Sequence, residues 1–297
     1  MTKIIQCVPN FSEGRRKDII DDLISIGQSV PGVSLIDHHI DPCHNRTVLT
    51  LIGGPQGIKA VALALAKCAK NTIDLTAHKG EHPRMGAIDV LPLVPIKNIT
   101  MEECIALSKE LSQEVAATLD IPVFLYEESA SHDTCNNLAD IRRGQFEGMY
   151  KKMQSPDWVP DYGPPLPHPT AGVVAIGARR PLIAFNANLS TSDIDIARKI
   201  AKKIRGSSGG LKYCKAIGIM LSERNIAQVS MNLVNYEATS IYSVVELIKV
   251  EAARYGVHII ETELIGLAPA KALIDCAEYY LQIRDFDYRQ HVLESHI

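Results

Sequence analysis

The sequence predicts an α/β protein of the α+β kind, built as two ferredoxin-like βαββαβ subdomains over residues 1–178 and 179–297. Helices are expected to cover both sheets. Three observations carry the prediction. Strand-like apolar runs and helical apolar stripes follow one another as β-α-β-β-α-β before residue 100. The same order returns from residue 182, with no obvious similarity between the two halves. Between them lies a stretch with five prolines between residues 160 and 169, and two such sandwiches leave a cleft that this stretch is placed to line.

Taken in order, Ile4 to Val8 reads as a strand, and Pro9 to Gly14 as a loop rich in turn-forming residues. Residues 16–28 carry Ile19, Ile20, Leu23 and Ile26 at near-helical spacing. Pro31-Gly32 turns the chain into a strand around Val33–Ile36, and Asp37 to Arg46 reads as a polar loop. Thr47–Ile52 is a strand, residues 56–72 a helix on Ile58, Val61, Ala62, Leu65 and Ala69, and Ile88–Ile96 a strand. Pro92 and Pro95 predict an edge position or a bulge there, because proline cannot donate to the ladder.

Thr100 and Glu103 stand in capping-box positions before a helix on Leu107, Leu111, Val115 and Leu119. Val123–Tyr126 is a strand, and one or two short helices fall near 137–153. The prolines after residue 159 forbid ordinary helix and imply a stiff, extended segment. Val173–Ala178 and Leu182–Asn188 are strands flanking Arg179-Arg180-Pro181. Ser190 and Asp193 signal a helix start; strands follow near 213–221 and over Ala227–Val234, then a helix around 240–255. A strand from His258 and a helix over Ala270–Leu281 complete the second half.

With 297 residues and 46% hydrophobic content, the chain can bury a substantial core. A net charge of −3 gives no electrostatic footprint for nucleic acid. No apolar run spans a bilayer, the N-terminus lacks a signal-peptide pattern, and seven cysteines without C-x-x-C pairs suit reduced thiols. A cytoplasmic protein is expected.

The chemistry concentrates in Ala77-His78-Lys79-Gly80-Glu81-His82-Pro83-Arg84-Met85-Gly86. Two histidines, a carboxylate, two cations and two glycines in ten residues suit catalysis better than packing, although a charged surface turn is the simpler reading. Gly80 and Gly86 permit backbone angles closed to other residues, and Pro83 pushes His82 out of helical conformation. His78-x-x-Glu81-His82 has the spacing of a zinc hydrolase motif, but that motif needs a continuous helix, which Gly80 and Pro83 oppose. The other chemistry is general acid/base catalysis by one imidazole.

Cys7-Val8-Pro9-Asn10-Phe11-Ser12-Glu13-Gly14, Asn45-Arg46-Thr47, His78 to Ala87, Trp158-Val159-Pro160-Asp161 and Leu182 to Asn186 together resemble the signature segments of the glutamate formiminotransferases. They occur in order over nearly the whole chain. The resemblance implies transfer of a formimino group from N-formimino-L-glutamate to N5 of tetrahydrofolate, the co-substrate, in histidine degradation. It also implies two α/β subdomains with a folate-binding cleft between them, a homodimer, and small-molecule substrates rather than nucleic acid or membrane. In animals the unit is fused to a cyclodeaminase; here a separate cyclodeaminase is expected downstream.

His82 matches the family's catalytic histidine. One imidazole can take the proton that N5 loses and deliver it to the departing glutamate amine, with Glu81 placed to orient the ring. Arg46 and Arg84 are candidate carboxylate clamps, since a guanidinium grips a carboxylate with two parallel bonds. A surface ion pair is the alternative for each. Asn10, Ser12, Glu13 and Asp37 are further candidates for the cleft, with a helix-capping role open for Ser12. Gly163, Pro164, Pro165, Leu166, Pro167, His168, Pro169, Thr170, Ala171 and Gly172 correspond to the family's folate-binding stretch, and a rigid interdomain strap is the competing reading.

The chain departs from the family near position 39. Relatives often carry a second acid there, whereas this loop reads Asp37-His38-His39-Ile40-Asp41, leaving His39, Asp37 or Asp41 as the second group. His44 is equally a loop histidine or a site one. No full set of zinc ligands is apparent, and the transfer needs no metal. Formyl transfer between 5-formyltetrahydrofolate and glutamate, a zinc hydrolase on His78, Glu81 and His82, and a non-catalytic folate-binding module stand as alternatives.

Overall fold

The computed structural model describes residues 2–296. They form two compact units, one running to Arg179 and the other starting at Arg180.

The first unit is built on a seven-stranded sheet. Strand β1 (Ile4–Cys7) is interrupted at Val8-Pro9 and resumes as β2 (Asn10–Phe11), so part of the expected Pro9–Gly14 loop is ladder. Both segments lie between β4 (Arg46–Gly53) and β5 (Ile88–Lys97), paired antiparallel to each. Helix α1 (Lys17–Ser29) leads to β3 (Val33–Asp41), the strand beyond β4. Helix α2 (Pro55–Thr72) starts with proline at its first turn, where an N–H would lack an intrahelical partner anyway. This is the expected β-α-β-β-α-β unit.

Two expectations change here. The polar stretch from Asp37 is not all loop: β3 runs to Asp41, and only Pro42–Asn45 turns. Exposed polar side chains suit such an outer strand and hide its period. Strand β5 does not lie at an edge, because it is flanked by β1 and β2 on one side and by β7 (Val174–Ala178) on the other. The expected bulge is present. Register slips past Ile96, between the Ile4–Lys97 and Ile5–Pro95 pairs, and again past Asp89, between Asn10–Val90 and Phe11–Ile88.

Helix α3 (Met101–Leu119) carries the capping box of Thr100 and Glu103 in full. Helices α1, α2 and α3 bury one face of the sheet around Phe11, Leu49, Leu65, Leu93 and Leu111. Beyond β7, strand β6 (Val123–Leu125) ends the sheet with parallel pairing. On the opposite face, helices α4 (Leu138–Arg142) and α5 (Gln145–Lys152) cover only the β5–β7–β6 end, packing Ile141 and Met149 on Val90, Phe124 and Ala175. Where β2 and β4 present that face, it carries side chains of another kind.

The second unit is a four-stranded antiparallel sheet in the order β11-β8-β10-β9, from β8 (Ile183–Leu189), β9 (Cys214–Leu221), β10 (Ile226–Leu233) and β11 (Ile259–Ile265). With helices α6 (Ile194–Ile204) and α7 (Ile241–Ala253), this is the ferredoxin-like arrangement read from the sequence. Asp193 caps α6 through the Asp195 N–H, and Ile200, Ile204, Val244 and Ile248 form the core with Val229 and Leu233. Helix α8 (Ala270–Leu281) follows. No helix of the described residues is long and apolar enough to cross a membrane.

Candidate active site

Three chain segments meet on the uncovered face of the first sheet: β2 with the turn after it, the Pro42–Asn45 turn, and the loop from Asp74 to Ala87. Asn45 joins them. Its backbone is left-handed (φ 51°), a conformation asparagine tolerates. Its side-chain oxygen accepts from Gly14 N–H at 2.8 Å, its amide donates to Lys79 O at 3.1 Å, and its carbonyl accepts from His78 Nε2 at 3.0 Å. The nearby glycines answer to space rather than to backbone angle. Neither Gly80 nor Gly86 has a positive φ, but a Cβ on Gly80 would lie 2.3 Å from His44 O, and one on Gly86 would lie 1.9 Å from Val173 O.

His78 to Gly86 is not helical, so the two imidazoles do not project from one helical face. His78 is a fastener. Because Nε2 donates to the Asn45 carbonyl, Nδ1 carries the lone pair, which accepts from Arg84 Nε at 3.2 Å. Arg84 is 7% exposed, and its fork is engaged: Nη1 and Nη2 donate to the two oxygens of Glu147 at 2.8 and 2.6 Å. That guanidinium therefore anchors the loop to α5 and is not an open clamp. It holds the Glu147 carboxyl down at about 2.

His82 is half-buried and lines the cleft. Arg46 Nη1 donates to its Nε2 at 2.9 Å, which fixes the lone pair on Nε2 and the ring proton on Nδ1. Burial lowers the pKa of His82 to about 4, with the positive charges of Arg46 and Arg142 acting in the same direction. At neutral pH His82 is an uncharged imidazole. The expected orienter Glu81 is exposed, and Arg46 holds the ring instead.

Arg46 projects from the first residue of β4. Its Nη2 donates to Asn10 Oδ1, and Asn10 Nδ2 in turn donates to Val8 O at 2.8 Å. Its Nε–H is buried with no acceptor among the described residues, a state that costs about 1–3 kcal/mol. No carboxylate of the described residues grips it. Asp41, directly across the ladder, accepts from His44 through both backbone and ring. Asp89, at the β5 bulge, accepts from Met85 N–H at 2.8 Å and from Arg142 Nε at 2.6 Å. Burial brings Arg46 down to about 10, which leaves it charged at neutral pH.

The cleft has about 210 Å³ of space and is lined by Asn10, Phe11, Ser12, His44, Asn45, Arg46, His78, His82, Arg84 and Asp89. Ser12 does not cap α1; its hydroxyl donates to Gly86 O at 2.7 Å. Glu13 accepts from the Arg15 and Arg16 N–H groups at 3.0 and 2.9 Å, ahead of α1. Asp37 shares the face of Arg46 but pairs with Thr50, so four ladder steps, roughly 13 Å, separate it from the Asp41–Arg46 pair. It does not line the cleft. His39 pairs with Val48 and is exposed.

The segment from Gly163 to Gly172 lies outside this lining. Gly163 (φ 89°) packs its Cα side against Ile121 O and Ala116. The His168 ring accepts from Ala171 N–H at 3.0 Å and closes a tight turn. Thr170 O accepts from Leu75 N, Ala171 O from Ala87 N, and Met85 O from Val173 N, so the segment straps both ends of the His82 loop.

Asp41 and His44 are both candidates in the sequence, though not as a pair, whereas Asp89, Arg142 and Glu147 escape the sequence reading. Only Asp89 leaves a trace, as one carboxylate inside Ala87-Ile88-Asp89-Val90-Leu91.

The family model for the formiminotransferase domain, N-terminal subdomain, matches residues 4–179, and the model for the formiminotransferase domain matches residues 184–293. A glutamate formimidoyltransferase of Streptococcus pyogenes is 58% identical over all of this chain and 99% of its own length. One from Thermoplasma acidophilum is 44% identical over 96% of this chain and 94% of its own. The formimidoyltransferase-cyclodeaminase of Gallus gallus is 42% identical over 95% of this chain, which matches 53% of that longer protein. The chain belongs to the formiminotransferase family.

Proposed function

We propose that this protein is a glutamate formimidoyltransferase, transferring the formimino group of N-formimino-L-glutamate to N5 of tetrahydrofolate with release of L-glutamate. The observation that carries the reading is an uncharged His82 beside a half-buried Arg46 whose buried Nε–H has no acceptor among the described residues. The reaction needs a base near a site for a carboxylate, and this pair supplies both. N5 attacks the formimidoyl carbon; His82 Nε2 takes the N5 proton and returns it to the glutamate nitrogen as the C–N bond breaks.

Arg46, with Asn10 behind it, is the clamp for a glutamate carboxylate. Arg84 acts by fixing the loop. His44 is edge-on to His82 with ring centroids 6.0 Å apart and is held by Asp41, which makes it the second proton-transfer group in place of His39 or Asp37. The cleft brings His82 and Arg46 together for the reacting end of the donor. Tetrahydrofolate extends beyond it toward the Gly163–Gly172 segment, where Leu166 is exposed among stiff prolines as a flat apolar surface. Cytoplasmic location and homodimer formation accompany the reading.

The test is turnover of metal-free protein with tetrahydrofolate and formiminoglutamate, and separately with 5-formyltetrahydrofolate and glutamate, products read by mass spectrometry. Formation of 5-formiminotetrahydrofolate in the first mixture is expected. Turnover in the second alone replaces formimino with formyl transfer, and turnover in neither overturns the reading.

A further inference from the structure

We infer that Arg46 is a substrate-operated latch on His82: it occupies the Nε2 lone pair in the free protein and releases it when a glutamate-type carboxylate draws the guanidinium away. The inference rests on the reading of the cleft as a site for a glutamate-type donor.

A general base must offer a lone pair to the proton it takes, and the Nε2 lone pair of His82 is already engaged by Arg46 at 2.9 Å. The opposite ring nitrogen carries hydrogen and has none to offer. As it stands, His82 is shielded from the N5 proton. The guanidinium that shields it is poorly satisfied. One of its nitrogens bonds Asn10, another bonds the imidazole, and Nε–H has no acceptor among the described residues. A neutral imidazole is a weaker partner for guanidinium than a carboxylate, whose two oxygens match the fork.

The neighbouring acids do not compete. Asp41 is tied to His44, and Asp89 to Arg142 and Met85 N–H. A substrate carboxylate entering beside Arg46 would satisfy Nε–H and one Nη together, which turns the guanidinium off His82. Two effects then coincide. Nε2 is exposed to the substrate, and the positive charge that opposed protonation of His82 is neutralised by the carboxylate. The groups facing His82 are Arg46 from β4, Asn10 from β2, Asp89 from β5, Arg142 from α4 and His44 from the turn. Among them only Arg46 lacks a carboxylate partner or its equivalent, so only its charge is open to such a change. His82 is thereby kept from acting until the donor is seated.

The test uses full-length protein labelled with ¹⁵N-histidine and titrated by NMR, with His82→Gln to assign the resonance. L-glutamate, a product that cannot react alone, is the probe. In the empty protein the His82 Nε2 resonance should show a hydrogen-bonded, unprotonated nitrogen. Saturating L-glutamate should raise the proton affinity of His82 at least tenfold and shift Nε2 toward the free imidazole value. In Arg46→Gln the affinity should already be high without ligand and should not respond. Should that variant fail to fold, the uncharged diamide of glutamate is the control in the natural protein, and it should leave His82 unmoved. An unchanged His82 with glutamate bound, an absence of saturable glutamate binding, or an equal response to the diamide overturns the latch. Transfer activity is read separately in the turnover assay, so the latch can fail while the reaction stands.

Discussion

Arg84 and Glu147 form a two-point ion pair, with Nη1 to Oε2 at 2.8 Å and Nη2 to Oε1 at 2.6 Å, that ties the His82 loop to α5. Glu147→Gln should weaken the tie without emptying it, since Gln145 also accepts from Arg84. Glu147 is largely exposed, so water screens the pair and the loss at neutral pH should be at most ~1 kcal/mol by denaturant titration. The pH dependence is specific. The Arg84 side chain lowers the carboxyl from 4.5 to about 2, so its contribution is full above 4.5 and disappears as pH falls toward 2. The natural protein and Glu147→Gln should therefore converge in stability at the acid end, and a constant gap between them contradicts the pairing.

His82→Ala should lower kcat by ~10²–10⁴-fold while leaving folate affinity, measured by calorimetry, nearly intact. The acid limb of kcat/KM, which reports the empty enzyme, should fall near 4 and not near the ordinary 6.5. The acid limb of kcat should lie higher. Stability carries the same signature. Burial lowers the proton affinity of folded His82, so its contribution is complete above pH 6.5 and declines as pH drops toward 4.

Asp41→Asn should lower kcat roughly tenfold with little change in KM, because the Asp41 carboxylate holds the His44 ring that faces His82. Burial would raise the Asp41 carboxyl, but hydrogen bonds from the His44 backbone and ring outweigh it and keep the carboxyl ionised. Rescue by Asp41→Glu would confirm the orienting role. An unaltered rate in Asp41→Asn removes His44 from the proton path.

Gly80→Ala should be destructive, since its Cβ would lie 2.3 Å from the His44 backbone oxygen and 2.9 Å from Asn45 Cβ. A cost of ~1–3 kcal/mol is expected in chemical denaturation, with loss of activity as the Asn45 junction opens. Gly148→Ala is the contrast. It lies inside α5 with nothing within 4 Å of the new Cβ, and should stabilise by about 0.5–1 kcal/mol.

Much of this was legible from one chain of letters. Ile58, Val61, Leu65 and Ala69 trace a helix because one face of α2 is buried and the period shows it. His82 and Arg46 stand out because polar groups crowd onto loops with glycine and proline. Other parts were hidden for physical reasons. Asp37, His38 and His39 continue β3, but an outer strand exposed on both faces from Ile36 to Ile40 loses the alternation that marks strands. Pro92 and Pro95 suggest an edge, yet bulges let β5 lie inside the sheet. The Arg84–Glu147 and Asp89–Arg142 pairs join residues more than fifty positions apart, and no local pattern announces such partners.

The strap from His168 to Gly172 sets how fast this enzyme can respond to its substrates. Leu75, Met85 and Ala87 are all bonded to it or to the residue after it, and Asn45 holds the middle of the loop through Lys79. A loop anchored at both ends and in the middle is a poor lid. The ordering cost of the site falls on folding, and each arriving donor meets a framework already set. The movement left is the swing of one guanidinium, which needs no rearrangement of the loop backbone. The catalytic cycle of this first unit should therefore show no slow closing step, and its pace should be set by chemistry or by departure of the folate product.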